Sequence, residues 1–291
     1  MIQTISTLET LEQQLFQNIE IADTLKNEGV VKIPFLTVEE LQLLQEYYTQ
    51  LHGADDPPTM YDGIHMTIWH SDINYKLAVN NKLKELFRAA CERNFKNFRA
   101  ISHQFIIKRK GDETTFPIHQ DWAIVDENKY ISLNLWIPLQ DVNEQNGAMS
   151  IVKKSHKVDR KIRGAGYLFP NYYSVLVDLK PHLTNYIMKA GEALIFYHST
   201  IHGSPPNLSD KARVVVQLTL LQENTPLQIY FQKTPDDKLE VHHPNDDFNF
   251  YYERIREDSE MIPPTSSATI LMPSLKVSEV NMEEIIRAIS H

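Results

Sequence analysis

Cysteine is almost missing from this chain. A single thiol, Cys91, among 291 residues excludes an internal disulfide and any cysteine-rich zinc cluster, and it fits a reducing, cytoplasmic setting. Long apolar runs are missing too. The longest, "GEALIFY" and "ARVVVQLTLL", fall well short of the roughly 20 residues of a membrane-spanning helix. The N-terminal "MIQTISTLETLEQQLF" carries acids where a secretory leader would carry bases and then an apolar stretch. Positive charge is in deficit, with 29 Lys and Arg against 38 Asp and Glu, a formal net charge of −9 and no basic stripe. That balance speaks against nucleic acid as a partner. Internal repeats and low-complexity linkers are absent, and 42% hydrophobic residues suffice for a substantial core.

Helical patterns come first along the chain. "STLETLEQQLFQNI" offers a capping box from Ser6 to Glu9 and apolar residues Leu8, Leu11, Leu15 and Ile19 at helical spacing. "GVVKIPF" reads as a short strand, "TVEELQLLQEYY" repeats the capping logic with Thr37 and Glu40, and a third helix is expected over about 74–95. From "RAISHQFIIK" onward the period changes to two: "YISLNLWIPL", "AMSIV", "EALIFYH", "ARVVVQLTLL", "LQIYFQK" and "KLEVHH" are short strands parted by Asn, Gly, Pro and Asp clusters. The pattern predicts a mainly β sandwich or barrel with helices packed outside.

The segment "FPIHQDWAIV" places His119 and Asp121 two apart in a strand-like run, so both point to one face. Alone this is weak, because a second His-x-Asp, His70 to Asp72, precedes a helical pattern and serves it as an N-cap. A third ligand candidate strengthens the later pair. "YHSTIHGSPPNLSDKARVVV" supplies His202, with His198 four residues earlier, Ser204 two residues later and Arg213 beyond. Two histidines and one carboxylate form the facial triad of non-haem iron oxygenases. If "PPNLSD" turns as a plain hairpin, Arg213 lies across from His202 and can clasp a carboxylate bidentately, with Ser204 beside it.

"HQD", "LNLWIPLQDVNEQNGAMSIVKKSHK" and "GEALIFYHSTIHGSPPNLSDKARVVV" together resemble the phytanoyl-CoA dioxygenase family of iron(II)- and 2-oxoglutarate-dependent oxygenases. The likeness runs from about residue 29 to 222. It implies a double-stranded β-helix, a jelly-roll barrel, with iron on His119, Asp121 and His202. It further implies 2-oxoglutarate on Arg213 and Ser204, lined by Trp136 and by a lysine matching Lys108; Gln104 would share the strand face of Lys108. The intact Asp121 favours hydroxylation over halogenation. The implied reaction consumes O2 and 2-oxoglutarate, releases succinate and CO2, and hydroxylates an unactivated C–H of a small molecule: an amino acid, a small organic acid, or an acyl group tethered to CoA or a carrier protein. Desaturation, cyclisation, oligomeric state, a catalytically silent barrel and a zinc hydrolase or isomerase on this fold all remain open at the level of sequence. One departure is visible, since "KKSH" at 153–156 stands where the family writes Pro-Gly-Ser-His, which puts the tight turn there in question.

One oxygenase domain over 1–291 is expected: a helical part to 97, a barrel over 98–245 with a lid-like insertion at 158–183, and a C-terminal extension from 246. The insertion offers Arg163, Tyr167, Tyr172 and Tyr173 as substrate contacts, with Arg160 just upstream; the alternative is that its tyrosines pack it onto the barrel. Trp122, His103 and His156 read as structural.

Overall fold

The computed structural model describes residues 9–53, 62–159, 161–164, 166–244 and 268–290. Ser6, Leu8, Arg160 and most of the aromatic and charged stretch 242–260 lie outside them.

The N-terminal helical pattern is broken in two. Helix α1, Leu11–Leu15, is capped by Thr10 rather than Ser6, with a reciprocal bond from Gln13. Phe16 turns the chain to extended backbone, Asn18 caps α2, Ile19–Glu28, and Gly29 ends it in the left-handed conformation. Strand β1 is Val30–Pro34, and α3, Val38–His52, has the predicted capping box of Thr37 and Glu40. A short strand β2, Ile64–Met66, precedes α4, Ile73–Asn94, whose N-cap is Asp72; the amide of Asp72 in turn donates to His70 Nδ1. The earlier His-x-Asp is therefore a helix start.

The barrel follows as β3 (Phe98–Lys108), β4 (Phe116–His119), β5 (Ser132–Pro138), β6 (Met149–Val152), the one-turn helix α5 (Leu176–Leu179), β7 (Leu183–Tyr186), β8 (Glu192–Tyr197), β9 (His202–Ser204) and β10 (Arg213–Gln222). Strands β11 (Ile229–Phe231), β12 (Leu239–His243) and β13 (Ala268–Met272) form a separate three-stranded sheet, and α6, Met282–Ile289, ends the described chain. Six strands in the order β1-β8-β5-β10-β3-β2 face four in the order β4-β9-β6-β7, with antiparallel pairing throughout. The architecture is mainly β, a jelly roll with flanking helices.

Strand periodicity divides the large sheet into two unlike faces. Phe105, Ile107, Leu133, Leu135, Ile137, Val214, Val216, Leu218, Ala193 and Ile195 pack outward against Leu44, Val79, Leu83 and Phe87 of α3 and α4. Each fully buried Leu or Phe there contributes roughly 1.5–3 kcal/mol. The opposite phase carries Gln104, Lys108, Asn134, Trp136, Arg213 and Gln217 into the barrel. The main hydrophobic core thus lies between sheet and helices, and inside the barrel the polar row shares the space with a second apolar cluster that includes Leu194, Phe196, Val215, Met149 and Ile151.

The turn at 153–156 is made without glycine. Lys154 adopts φ +64°, and its amide donates to the carbonyl of Glu28 at 2.7 Å. Ser155 Oγ completes the turn by donating to the Val152 carbonyl and accepting from the Ile201 amide.

Candidate metal centre

His119 and His202 face each other because of a one-residue irregularity. In the β4–β9 ladder Phe116 pairs with Ser204 and His119 with His202, so three steps on β4 match two on β9. The chains run so close that a Cβ on Gly203 would meet the Phe116 carbonyl at 2.9 Å, which explains glycine between the histidine and the serine. The two imidazole centroids lie 4.2 Å apart. Both Nδ1 atoms are tied to main-chain carbonyls, His119 to Pro117 at 2.8 Å and His202 to Thr200 at 2.8 Å. The protons therefore sit on Nδ1, and both Nε2 lone pairs are free.

Asp121 meets them from outside the strand, which ends at His119, so strand period alone does not account for the pairing. Its amide donates to the His198 carbonyl at 2.9 Å, and its carbonyl accepts from Arg163 Nε at 2.8 Å. The carboxylate then stands 3.4 Å from His119 Nε2 and 3.7 Å from His202 Nε2. One ligand atom from each of His119, Asp121 and His202 falls within 4.8 Å of the others, and no other such cluster occurs among the described residues. Burial pushes the His202 imidazole down to about 4, so it is neutral near pH 7. Burial by itself would raise Asp121, but the charge that His202 and then His119 carry when protonated outweighs it and holds the carboxyl well below its usual range. A neutral His202 imidazole and an ionised Asp121 carboxylate are donors of the kind a divalent cation needs. His198 is buried beside Asp121 and stands outside the cluster.

A second group is built around buried cations. Arg213 pairs in register with Lys108 rather than with His202, because β9 and β10 belong to different sheets. Residues 205–212 cross between the sheets instead of closing a hairpin. Asn207, fully buried, pins the crossing by donating to the carbonyls of Lys108 and Lys211 at 2.9 and 2.8 Å. It is Lys108 that reaches Ser204: its Nζ donates to Ser204 Oγ at 2.6 Å and to the Pro205 carbonyl at 2.7 Å. Arg213 lies 5.1 Å above the Trp136 ring and donates to the Gly147 carbonyl at 2.8 Å, while its Nε is buried without a partner. Gly147 sits at φ +82° with Lys108 Cδ only 3.1 Å from where a Cβ would stand, so a side chain there would invade the group. Neither cation has a carboxylate partner among the described residues. Burial drives Arg213 down to about 9, and burial with the neighbouring Arg213 charge drives Lys108 down to about 5. A buried guanidinium without a counter-ion, beside an amine that burial leaves neutral near pH 7, makes a site for an anion.

The insertion behaves differently from expectation. Arg163 is fully buried, with a bidentate ion pair to Glu127 at 2.6 and 2.8 Å in addition to its bond to Asp121, so it clamps the ligand loop and is not free to meet substrate. Tyr172 is buried and donates to Gln120 at 2.6 Å, and Tyr167 accepts from the Val277 amide at 2.9 Å; both pack the insertion onto the protein. Tyr173 is 74% exposed. The residue the sequence reading passed over is Phe169, whose ring stacks 6.3 Å from that of His119 while remaining 41% exposed. Phe116 flanks the same imidazole at 5.1 Å. Trp122, expected in the core, is half-buried and joins no apolar cluster, whereas His103 and His156 are structural: one bonds Asn80, the other stacks on Tyr197.

Residues 52–215 match the phytanoyl-CoA dioxygenase (PhyH) family. This chain belongs to that family. A phytanoyl-CoA dioxygenase of Arabidopsis thaliana is 30% identical to this PhyH member over 127 residues, 43% of this chain and 44% of that protein. The match thus spans less than half of this curated relative. Among solved structures, the epimerase SnoN, in complex with Fe3+, alpha ketoglutarate and nogalamycin RO, superposes with a TM-score of 0.52 at 15% identity, covering 72% of this chain and 85% of its own. The non-heme alpha ketoglutarate dependent carbocyclase SnoK, from nogalamycin biosynthesis, gives 0.50 at 17% identity, covering 76% and 89%. At such identities the likeness concerns the fold. No described helix is long and apolar enough to cross a membrane.

Proposed function

We propose that this PhyH-family chain is an iron(II)- and 2-oxoglutarate-dependent dioxygenase that hydroxylates a small molecule. The observation that carries this reading is the adjacency, inside one barrel, of a His-Asp-His cluster with free Nε2 atoms and a buried guanidinium that lacks a carboxylate. His119, Asp121 and His202 would hold iron(II), leaving positions open for cosubstrate and O2. The bound metal would supply O2 activation coupled to decarboxylation of 2-oxoglutarate to succinate and CO2 and to hydroxylation of a C–H bond.

The residues around it have separate tasks. Arg213, held over Trp136, would take the far carboxylate of 2-oxoglutarate through its unpaired Nε face. Lys108 would fix the Ser204 hydroxyl toward the same carboxylate and add positive charge on taking up a proton as the anion binds. Gln104 would take part in the cosubstrate site only through the second hydrogen of its amide nitrogen, because the first is given to Gln217 and its buried oxygen is an acceptor. Phe169 and Phe116 beside His119 would keep water away and favour a substrate that presents an apolar C–H.

The test is succinate formation from 2-oxoglutarate in the presence of iron(II) and O2. Slow turnover without added substrate is expected for the wild type, and none for His119→Ala or His202→Ala. Tight zinc binding with no consumption of 2-oxoglutarate would instead favour a hydrolase on this fold.

A further inference from the structure

Three side-chain carboxamides cross the inner face of the large sheet and end on the carboxylate of Asp121. Gln104 Nε2 on β3 donates to Gln217 Oε1 on β10 at 3.0 Å, and Gln217 Nε2 donates to Asn134 Oδ1 on β5 at 2.7 Å. Asn134 Nδ2 in turn donates to Asp121 Oδ2 in a short hydrogen bond. Register explains the alignment: Gln104 lies directly opposite Gln217, and Asn134 is the diagonal neighbour of Gln217 across the next ladder. Asn134 is fully buried and Gln104 is 6% exposed.

The direction of the chain is dictated by its end. An ionised carboxylate only accepts, so Asn134 must turn its NH2 toward Asp121 and its oxygen back to Gln217. That oxygen obliges Gln217 to present its own NH2, and the same logic passes to Gln104. The far terminus bears the mark of this constraint, since Gln104 Oε1 is buried without a partner. An amide row serving only to stitch the sheet would have no reason to leave that acceptor unpaired at one end and a short charged bond at the other.

We infer that Asn134, Gln217 and Gln104 are positioning residues for the metal-binding carboxylate. The row holds Oδ2 on Asn134, 3.7 Å from His202 Nε2, and so sets the carboxylate plane that presents Oδ1 3.4 Å from His119 Nε2. The inference rests on the metal reading above. Hydrogen bonds in series polarise one another, so Gln217 acts on Asp121 without touching it.

The probe is cobalt(II) alone, titrated into metal-free protein and followed by its visible d–d bands, with the thermal midpoint measured on each variant. Asn134→Leu is expected to weaken cobalt binding about 10–100-fold, the usual cost of losing an outer partner of a metal ligand. The freed carboxylate then binds through both oxygens, which changes band shape and intensity. Gln217→Met, equal in length and remote from the metal, is expected to weaken binding roughly 3–10-fold with the same spectral change, and Gln104→Met less, as polarisation decays along the row. Gln104→Met carries the test if Gln217→Met does not fold. Wild-type affinity and wild-type spectrum in both methionine variants, whatever their midpoints, would show that the row is merely structural and overturn the inference. No cobalt binding by the wild type would overturn the metal reading together with it.

Discussion

Replacing Arg163 separates a structural clamp from a substrate contact. Its side chain is fully buried, Glu127 opposite is 8% exposed, and the two form parallel bonds of 2.6 and 2.8 Å while Nε holds the Asp121 carbonyl at 2.8 Å. Arg163→Met leaves the Glu127 carboxylate buried and uncompensated, a loss of about 3–5 kcal/mol. Depriving the Asp121 carbonyl of its donor adds about 1–3 kcal/mol. The sum is a large part of the roughly 5–15 kcal/mol by which domains are stable. The double variant Arg163→Met/Glu127→Met removes the stranded charge, so it should recover most of the first loss and little of the second. Metal affinity should remain reduced in the double variant, because the Asp121 main chain is then held only by its amide bond to the His198 carbonyl. Urea unfolding of the metal-free proteins and cobalt titration measure the two effects. A single substitution costing under about 1 kcal/mol, or a double variant no more stable than the single, would refute this reasoning.

Acid should destabilise the metal-free protein through its buried histidines. Burial lowers His103 to about 3 and His52, His156 and His202 to about 4, below the ordinary value of 6.5. The unfolded chain therefore takes up protons first, so stability present above pH 6.5 is lost as pH falls toward 4. His103 by itself accounts for about 2 kcal/mol at pH 5. A thermal midpoint that stays flat from pH 7 to 5 would contradict this. Lys154→Gly should stabilise by about 0.5–1 kcal/mol, since relief of left-handed strain exceeds the added freedom of the unfolded chain; lower stability by urea unfolding would speak against strain at this turn. With Lys108 pushed down to about 5, binding of a dicarboxylate near pH 7.5 should be accompanied by uptake of about one proton. Calorimetry in buffers of different ionisation enthalpy detects it, and uptake should vanish in Lys108→Met.

Periodicity and caps made much of the fold legible. Thr37 with Glu40 and the runs that became β5, β8 and β10 behave as local rules dictate. The ligand histidines and Asp121 were legible as residue types in order, although the reason they converge, a bulge before His119 and a clamp from Arg163, was not. What escaped lies between distant segments. The plain hairpin placing Arg213 opposite His202 failed because Asn207 anchors residues 205–212 across the gap between sheets. Arg163 looked like a loop cation because its partner Glu127 is 36 residues away in sequence. Asn134 and Gln217 gave no signal in the sequence, because polar positions on a strand are ordinarily exposed and here they lie on the buried inner face of the large sheet. Phe169 carried no signal, as one aromatic among several in an irregular insertion.

The central claim is tested most directly without oxygen. Iron(II) and then 2-oxoglutarate are added to metal-free protein, and the weak visible charge-transfer band of the chelate is followed in the wild type, Asp121→Ala and Arg213→Ala. The account predicts a band in the wild type, its loss in Asp121→Ala, and its return in Arg213→Ala only at far higher 2-oxoglutarate. No band in the wild type, or one indifferent to both substitutions, would contradict it.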